Sequence, residues 1–275
     1  MKNLIKILCL ALAVCMCFAC VACGNAETES KADADAPAKE KLVMATNAAF
    51  PPYEFKEGDS FAGLDVEIAG LIADKLGMEL EILDVEFGSI IGGVQSGKFD
   101  MGMAGLTVTE ERLQSVNFSE SYANGIQSVI VKEDSKYASF EDFYTGFDDE
   151  GNPTGVKEGI KIGVQQDTTG DIYSSDVPAK WGFGEDNVIR YKTGAEAVMA
   201  LSTGKVTAVI IDNEPAKSFV ASTKGLKILE GEYANEDYAI CVAKENTELL
   251  EKINGALKEL TDAGKIKEII DKYIK

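Results

Sequence analysis

Asp100-Met101-Gly102-Met103-Ala104-Gly105-Leu106-Thr107-Val108-Thr109-Glu110-Glu111-Arg112 is the stretch on which the reading of this chain turns. Residues 100–105 are mostly small or flexible and predict a strand. Thr109 offers a helix N-cap, and the Glu-Glu-Arg run at 110–112 opens the helix behind it. Upstream, Leu42 to Ala45 reads as a strand. A helix follows from Asp65, with Ile68, Ile72 and Leu76 on one face and Gly77 as its C-cap. Met78 to Val85 is a second strand, and Ser89 to Ser96 a short helix stopped by Gly97. The resulting βαβα order implies an α/β fold that receives ligands at the C-terminal ends of its strands.

Downstream the pattern repeats in kind. Strands are expected at Gln127–Val131, Ile160–Val164, Val188–Tyr191, Val206–Ile211, Leu226–Leu229 and Tyr238–Ala243. Ser139 to Phe143 reads as a capped helical turn, and helices follow near Asp171 and over Ala195–Leu201. Two amphipathic helices end the chain, one carrying Leu249, Leu250, Ile253, Leu257 and Leu260, the other Ile266, Ile269, Ile270 and Tyr273. Residues 146–159 look like a loop, with Gly151-Asn152-Pro153 as a turn.

Composition removes several classes of function. The 275 residues hold 27 Lys plus Arg against 46 Asp plus Glu, a formal charge of −19, which argues against a nucleic-acid partner. Histidine is absent, so no Ser–His–Asp triad, Cys–His pair or His-ligated metal can be built. Carboxylate, Lys or Tyr chemistry stays open. Hydrophobic residues make up 45%, enough for real cores.

Residues 1–22 read as an export signal: Lys2 and Lys6 precede an apolar run from Ile7 to Ala22. Cys20-Val21-Ala22-Cys23-Gly24 resembles a bacterial lipobox, which would make Cys23 the lipidated residue, with Cys20 the alternative. Residues 23–40 form an expected disordered tether. Cys241 would then be a lone thiol in an apolar strand, inert packing that cannot form an intramolecular disulfide.

From Thr46-Asn47-Ala48-Ala49-Phe50-Pro51-Pro52-Tyr53-Glu54-Phe55 onward the chain resembles the solute-binding proteins of polar amino-acid ABC importers, family 3, typified by the glutamine-binding protein. The likeness continues through Gly63-Leu64-Asp65, Ile91 to Asp100, Ala104 to Arg112, Gly163 to Gly170 and Ala208 to Asp212, then on to Tyr273. It implies a periplasmic-binding-protein-like α/β fold of type II, two lobes joined by two hinge strands. Residues 41–126 and 236–275 would form the first lobe and 127–235 the second. The acidic loop from Asp148 to Gly159 looks like an insertion remote from the cleft.

A free amino acid carries a carboxylate and an ammonium, and burying either unpaired costs several kcal/mol. The resemblance assigns the carboxylate to Arg112, whose planar fork grips it bidentately. Gly105, Thr107, Thr168 and Thr169 would complete carboxylate binding with N–H and O–H donors, and Asp212 would take the ammonium. Phe50 and Phe87 match aromatic residues that sandwich the ligand side chain, with Tyr53 and Tyr122 weaker candidates. Asn47 stands where glutamine receptors carry Asp, and Gln165 where they carry Lys, so glutamine itself does not follow. Plainer roles compete: a surface charge for Arg112 beside Glu110 or Glu111, helix caps for Thr109 and Asp212, core packing for the rings.

The expectation is therefore a lipid-anchored, monomeric receptor on the outer face of the membrane, without metal, cofactor or catalytic residue. It would hand a polar L-amino acid to ABC permease subunits. The alternative is an enzyme on the same fold, similar to cyclohexadienyl dehydratase, using Glu54, Glu86 or Asp212 as acid or base.

Overall fold

Lys41–Thr46 and Glu79–Asp84 pair in parallel, Met44 opposite Ile82, because the helix Leu64–Leu76 carries the chain back between them. That helix buries Leu64, Ile68, Ala69 and Ile72 and ends at Gly77, whose φ of 71° is the left-handed conformation a Cβ would resist. The computed structural model describes residues 39–274. The expected export signal, Cys23 and all but the last two residues of the tether lie outside them.

The first sheet runs, in spatial order, Glu79–Asp84, Lys41–Thr46, Met101–Gly102, Cys241–Ala243, Val116–Phe118. The second runs Val188–Tyr191, Ile162–Gln165, Ala208–Asp212, Ala123–Lys132, Leu226–Ile228, with Ala234–Tyr238 paired to the start of Ala123–Lys132. The chain thus leaves the first sheet after Phe118 and re-enters it at Cys241. The two segments that cross between sheets lie side by side, Ala123 opposite Tyr238 and Gln127 opposite Ala234. These are two α/β lobes joined by two antiparallel strands, the expected fold class. Gly125 belongs to this crossing because a Cβ there would sit 2.3 Å from the Tyr238 ring.

Three local expectations change. Residues 146–159 are not all loop: Tyr144–Phe147 and Pro153–Val156 pair as a hairpin. Its turn closes on Asp148, whose Oδ1 accepts the N–H groups of Glu150 and Asn152, so a polar side chain supplied the order that hydropathy did not show. The strand expected at 100–105 is reduced to Met101–Gly102, since the chain bends away toward the cleft at Gly105 (φ 51°). The strand expected at 238–243 breaks at Ala239, whose N–H turns to Leu106 O as the chain changes sheets. The turn at Ser139 forms as expected, a 3₁₀ helix Phe140–Phe143 with a Ser139–Asp142 capping box.

Thr247–Asp262 and Lys265–Tyr273 bury Leu249, Ile253, Leu257, Leu260, Ile266 and Ile269 in the core that also holds Ile68 and Ile72. Cys241 is fully buried, and burial pushes its thiol up to about 12, consistent with an inert packing role. Ile253 is fully buried. Its change to Ala is expected to lower the unfolding free energy by about 2–5 kcal/mol in urea titration. Glu251→Ala on the exposed face of the same helix should stay within about 0.5 kcal/mol of the parent.

Candidate functional site

Arg112 opens the short helix Arg112–Ser115 at the end of the bend that follows Met101–Gly102. The helix starts at Arg112 with Glu111 as its N-cap, not Thr109 as expected; the Thr109 hydroxyl accepts the Arg112 N–H at 3.1 Å in the preceding turn and does not line the cleft. Arg112 as a whole is only 8% exposed. Its Nη1 donates to Thr107 O at 2.8 Å in the first lobe, and its Nη2 to Asp167 O at 3.1 Å in the second. The Phe87 ring lies 5.4 Å below its central carbon. Burial lowers its pKa, and the strongest opposing charge is Glu236. No carboxylate stands within ion-pairing distance of it among the described residues, Glu110 and Glu111 included. Arg190, the other arginine, is the contrast: it pairs with Asp171 and Glu185, each at 2.9 Å.

All ten residues expected in the site line one cavity. Asn47, Phe50, Phe87, Gly105, Thr107 and Arg112 come from the first lobe; Gln165, Thr168, Thr169 and Asp212 come from the second. Glu54 and Ala104 complete the wall. Phe50 and Glu54 are direct partners across the small hairpin Ala49–Phe50/Glu54–Glu57, which puts both on one face. The enclosed volume is about 10 Å³, scarcely room for a single water. The lobes meet across it: Gln165 Nε2 donates to Asn47 Oδ1 at 2.9 Å, and the Thr107 and Thr169 hydroxyls lie 3.5 Å apart. A Cβ on Gly88 of the first lobe would come within 2.1 Å of Asp167 Oδ2 in the second. Admitting any amino acid therefore requires the lobes to part.

The acidic pole is built from buried carboxyls. Asp212 ends the strand Ala208–Asp212 and precedes the helix Asn213–Ser222 without capping it through its side chain. Instead Asp212 Oδ1 accepts the Tyr238 O–H. Burial, then the nearby Glu236, push Asp212 up to about 7. Glu54 is fully buried, and burial together with Asp65 raises it well above the usual carboxylate range. Asp65 rises to about 6, mainly by burial. Burial and each other's charge favour the protonated form of these facing carboxyls. Among the described residues Glu54 Oε2 and Asp65 Oδ1 have no donor.

Two expected donors are committed elsewhere. The Gly105 N–H donates to Asp65 Oδ2 at 2.8 Å, and the Thr107 hydroxyl donates to Glu236 Oε2 at 3.1 Å. Neither group is free to donate to a ligand carboxylate. Thr168 both caps the helix Thr169–Ser175 and lines the cavity. Asp167 contributes its carbonyl to Arg112, while its carboxylate accepts from Gln166 and lies against Gly88, outside the cavity. Tyr53 and Tyr122 are core residues: Tyr53 packs on Phe50 and Tyr238, and the Tyr122 hydroxyl donates to Asp65. Glu86 is at the surface with Lys192, 2.7 Å away.

Asp65, Gln127 and Glu236 were missed as site residues, and Glu54 was expected there only as an acid or base of the enzyme alternative. A charged residue inside the aromatic run Phe50–Phe55 was one available signal. Another was strand alternation, which puts Glu236 on the same inward face as Tyr238.

A model of bacterial extracellular solute-binding proteins, family 3, matches residues 42–275. The arginine-binding extracellular protein ArtP of Bacillus subtilis (strain 168) is 30% identical over 237 residues, 86% of each chain. An ancestral arginine-binding protein solved with arginine is 36% identical, with a TM-score of 0.75 over 86% of this chain and 99% of that one. An ancestral arginine-binding protein solved with glutamine gives 34% identity and a TM-score of 0.74 over 86% and 98%. With nearly the whole described chain matched and the same two-lobed architecture on the page, this protein belongs to the bacterial extracellular solute-binding proteins of family 3.

Proposed function

We propose that the chain is the substrate-binding component of an amino-acid ABC importer and captures a free L-amino acid with a cationic side chain. The observation that carries this reading is the buried Arg112, unpaired with any carboxylate among the described residues and sharing a cavity with Asp212. A ligand carboxylate would answer Arg112, and its ammonium would answer Asp212. Each would replace hydration that burial strips away.

The side-chain preference rests on charge. A zwitterion brings no net charge, yet Glu54 and Asp212 line the cavity with Asp65 and Glu236 behind them, against one guanidinium. A cationic side chain reduces that imbalance and supplies donors for Glu54. The faces of Phe50 and Phe87 suit a planar guanidinium. The Asn47 and Gln165 amides stand ready with further acceptors. ArtP and the ancestral relatives, named for arginine, support this choice, and the glutamine complex keeps a neutral polar amino acid second. Catalysis in the cleft finds less support: Glu86 lies outside it, and Glu54 and Asp212 have binding roles.

Residues 41–126 with 236–275 and residues 127–235 move as the two lobes in this reading, hinged on the crossing strands. Cys23 carries the lipid, residues 24–40 tether a monomer outside the cytoplasm, and the closed form is what the permease recognises. The sequence resemblance supports these points.

Arg112→Ala should abolish amino-acid binding by calorimetry with an unchanged circular-dichroism melt; retained affinity refutes the assignment. Glu54→Gln should weaken L-arginine roughly 10- to 100-fold while sparing L-glutamine, since it removes a charge-assisted acceptor. Because Glu54 and Asp212 are raised, arginine must displace protons, so its affinity should climb as pH rises through 7 and then level. The same raised groups bind more protons folded than unfolded, so the ligand-free protein should lose stability as pH rises from the ordinary carboxylate range, about 4, to about 7. With no histidine in the chain, a flat urea midpoint across that window would contradict the buried carboxyls. Labelled palmitate should be lost in Cys23→Ala and kept in Cys20→Ala.

A further inference from the structure

Thr107 lines the cavity, and its hydroxyl has two polar neighbours. Glu236 Oε2 accepts from it at 3.1 Å, while the Thr169 hydroxyl lies at 3.5 Å. The shorter, charge-assisted bond takes the proton. A hydroxyl has one hydrogen and two lone pairs, so once the hydrogen is committed the oxygen can only accept.

Glu236 is held for this. It sits on the crossing strand Ala234–Tyr238, opposite Gly125, and is buried. Gln127 on the other crossing strand donates to the same Oε2 at 3.0 Å. The second oxygen, Oε1, is buried without a partner among the described residues. Such a carboxylate is costly to bury, and the nearby Arg112 charge offsets part of that cost. Its Oε2 joins a lobe-one hydroxyl to the hinge, between the guanidinium and Asp212.

We infer that Glu236 is a positioning residue: by accepting the Thr107 hydroxyl proton it turns that oxygen into an acceptor for the ligand's ammonium, beside Asp212. The site therefore selects α-amino acids over carboxylates lacking the ammonium. Asp65 acts in parallel by occupying the Gly105 N–H. This inference rests on the amino-acid reading and assigns the direction of one hydrogen bond within it.

A glutamine at 236 can donate to Thr107 and reverse that direction with little change of shape. In Glu236→Gln, affinity for L-arginine should fall roughly 10- to 100-fold, the scale of a lost charge-assisted hydrogen bond. Affinity for 5-guanidinopentanoate, which lacks only the ammonium, should change less than about threefold. Thr107→Val should lose L-arginine by the same factor, and adding Glu236→Gln to Thr107→Val should cost nothing more. Thr107→Ser should keep wild-type discrimination. Equal losses for both ligands, or additive losses in the double variant, overturn the inference. Should Glu236→Gln not fold, Glu236→Ala, which removes the acceptor without supplying a donor, is read against the same two ligands, and equal losses for both overturn the inference. If the wild-type chain binds neither L-arginine nor L-glutamine, the amino-acid reading itself falls. Wild-type binding with a Glu236→Gln variant that keeps wild-type affinity for L-arginine overturns the inference and leaves the amino-acid reading standing.

Discussion

A guanidinium taken out of water without a carboxylate partner is the constraint around which this cleft is organised. Arg112 is held by two carbonyls, Thr107 O from one lobe and Asp167 O from the other, and by the face of Phe87. Neutral acceptors offset only part of the cost of burying the charge. Arg190 shows the ordinary structural solution in the same chain, two carboxylates at 2.9 Å. At Arg112 that solution is withheld. Parting the lobes takes Asp167 O away from Nη2, so closure and the satisfaction of this charge are one event, and a ligand carboxylate biases both.

The opposite wall has the reverse problem, too many carboxyls. Glu54 faces Asp65, and Asp212 neighbours Glu236, in a region dry enough to raise Glu54, Asp65 and Asp212. The hinge strands bring this about: Glu236 and Tyr238 come from one, Gln127 from the other. The charge balance of this wall is thereby set by residues that mostly do not line the cavity. The formal charge of −19 adds a long-range pull on cations approaching the mouth.

Much of the fold was legible because its signals are local. Gly77 ends its helix through a positive φ, Ser139 and Asp142 cap each other, and Val188–Tyr191 falls where its β-branched run placed it. The hairpin at 144–156 escaped notice because its order comes from Asp148 side-chain bonds and from Tyr144 packing in an aromatic cluster. The ten cavity residues were found through strand ends and family likeness. Their hydrogen-bond roles were not, since the Gly105 and Thr107 donors are consumed by Asp65, forty residues back in the chain, and Glu236, 129 residues on.

By itself the sequence determined the element order, the absence of histidine chemistry and the choice of arginine at 112, because these depend on residue type and near neighbours. Only the tertiary structure decided which carboxyls are buried together, which donors are consumed within the protein and which guanidinium lies without a carboxylate partner among the described residues. Those properties are set by burial and by partners far apart in the chain. A side chain's charge state and the direction of its hydrogen bonds belong to the dielectric and the neighbours that folding assembles.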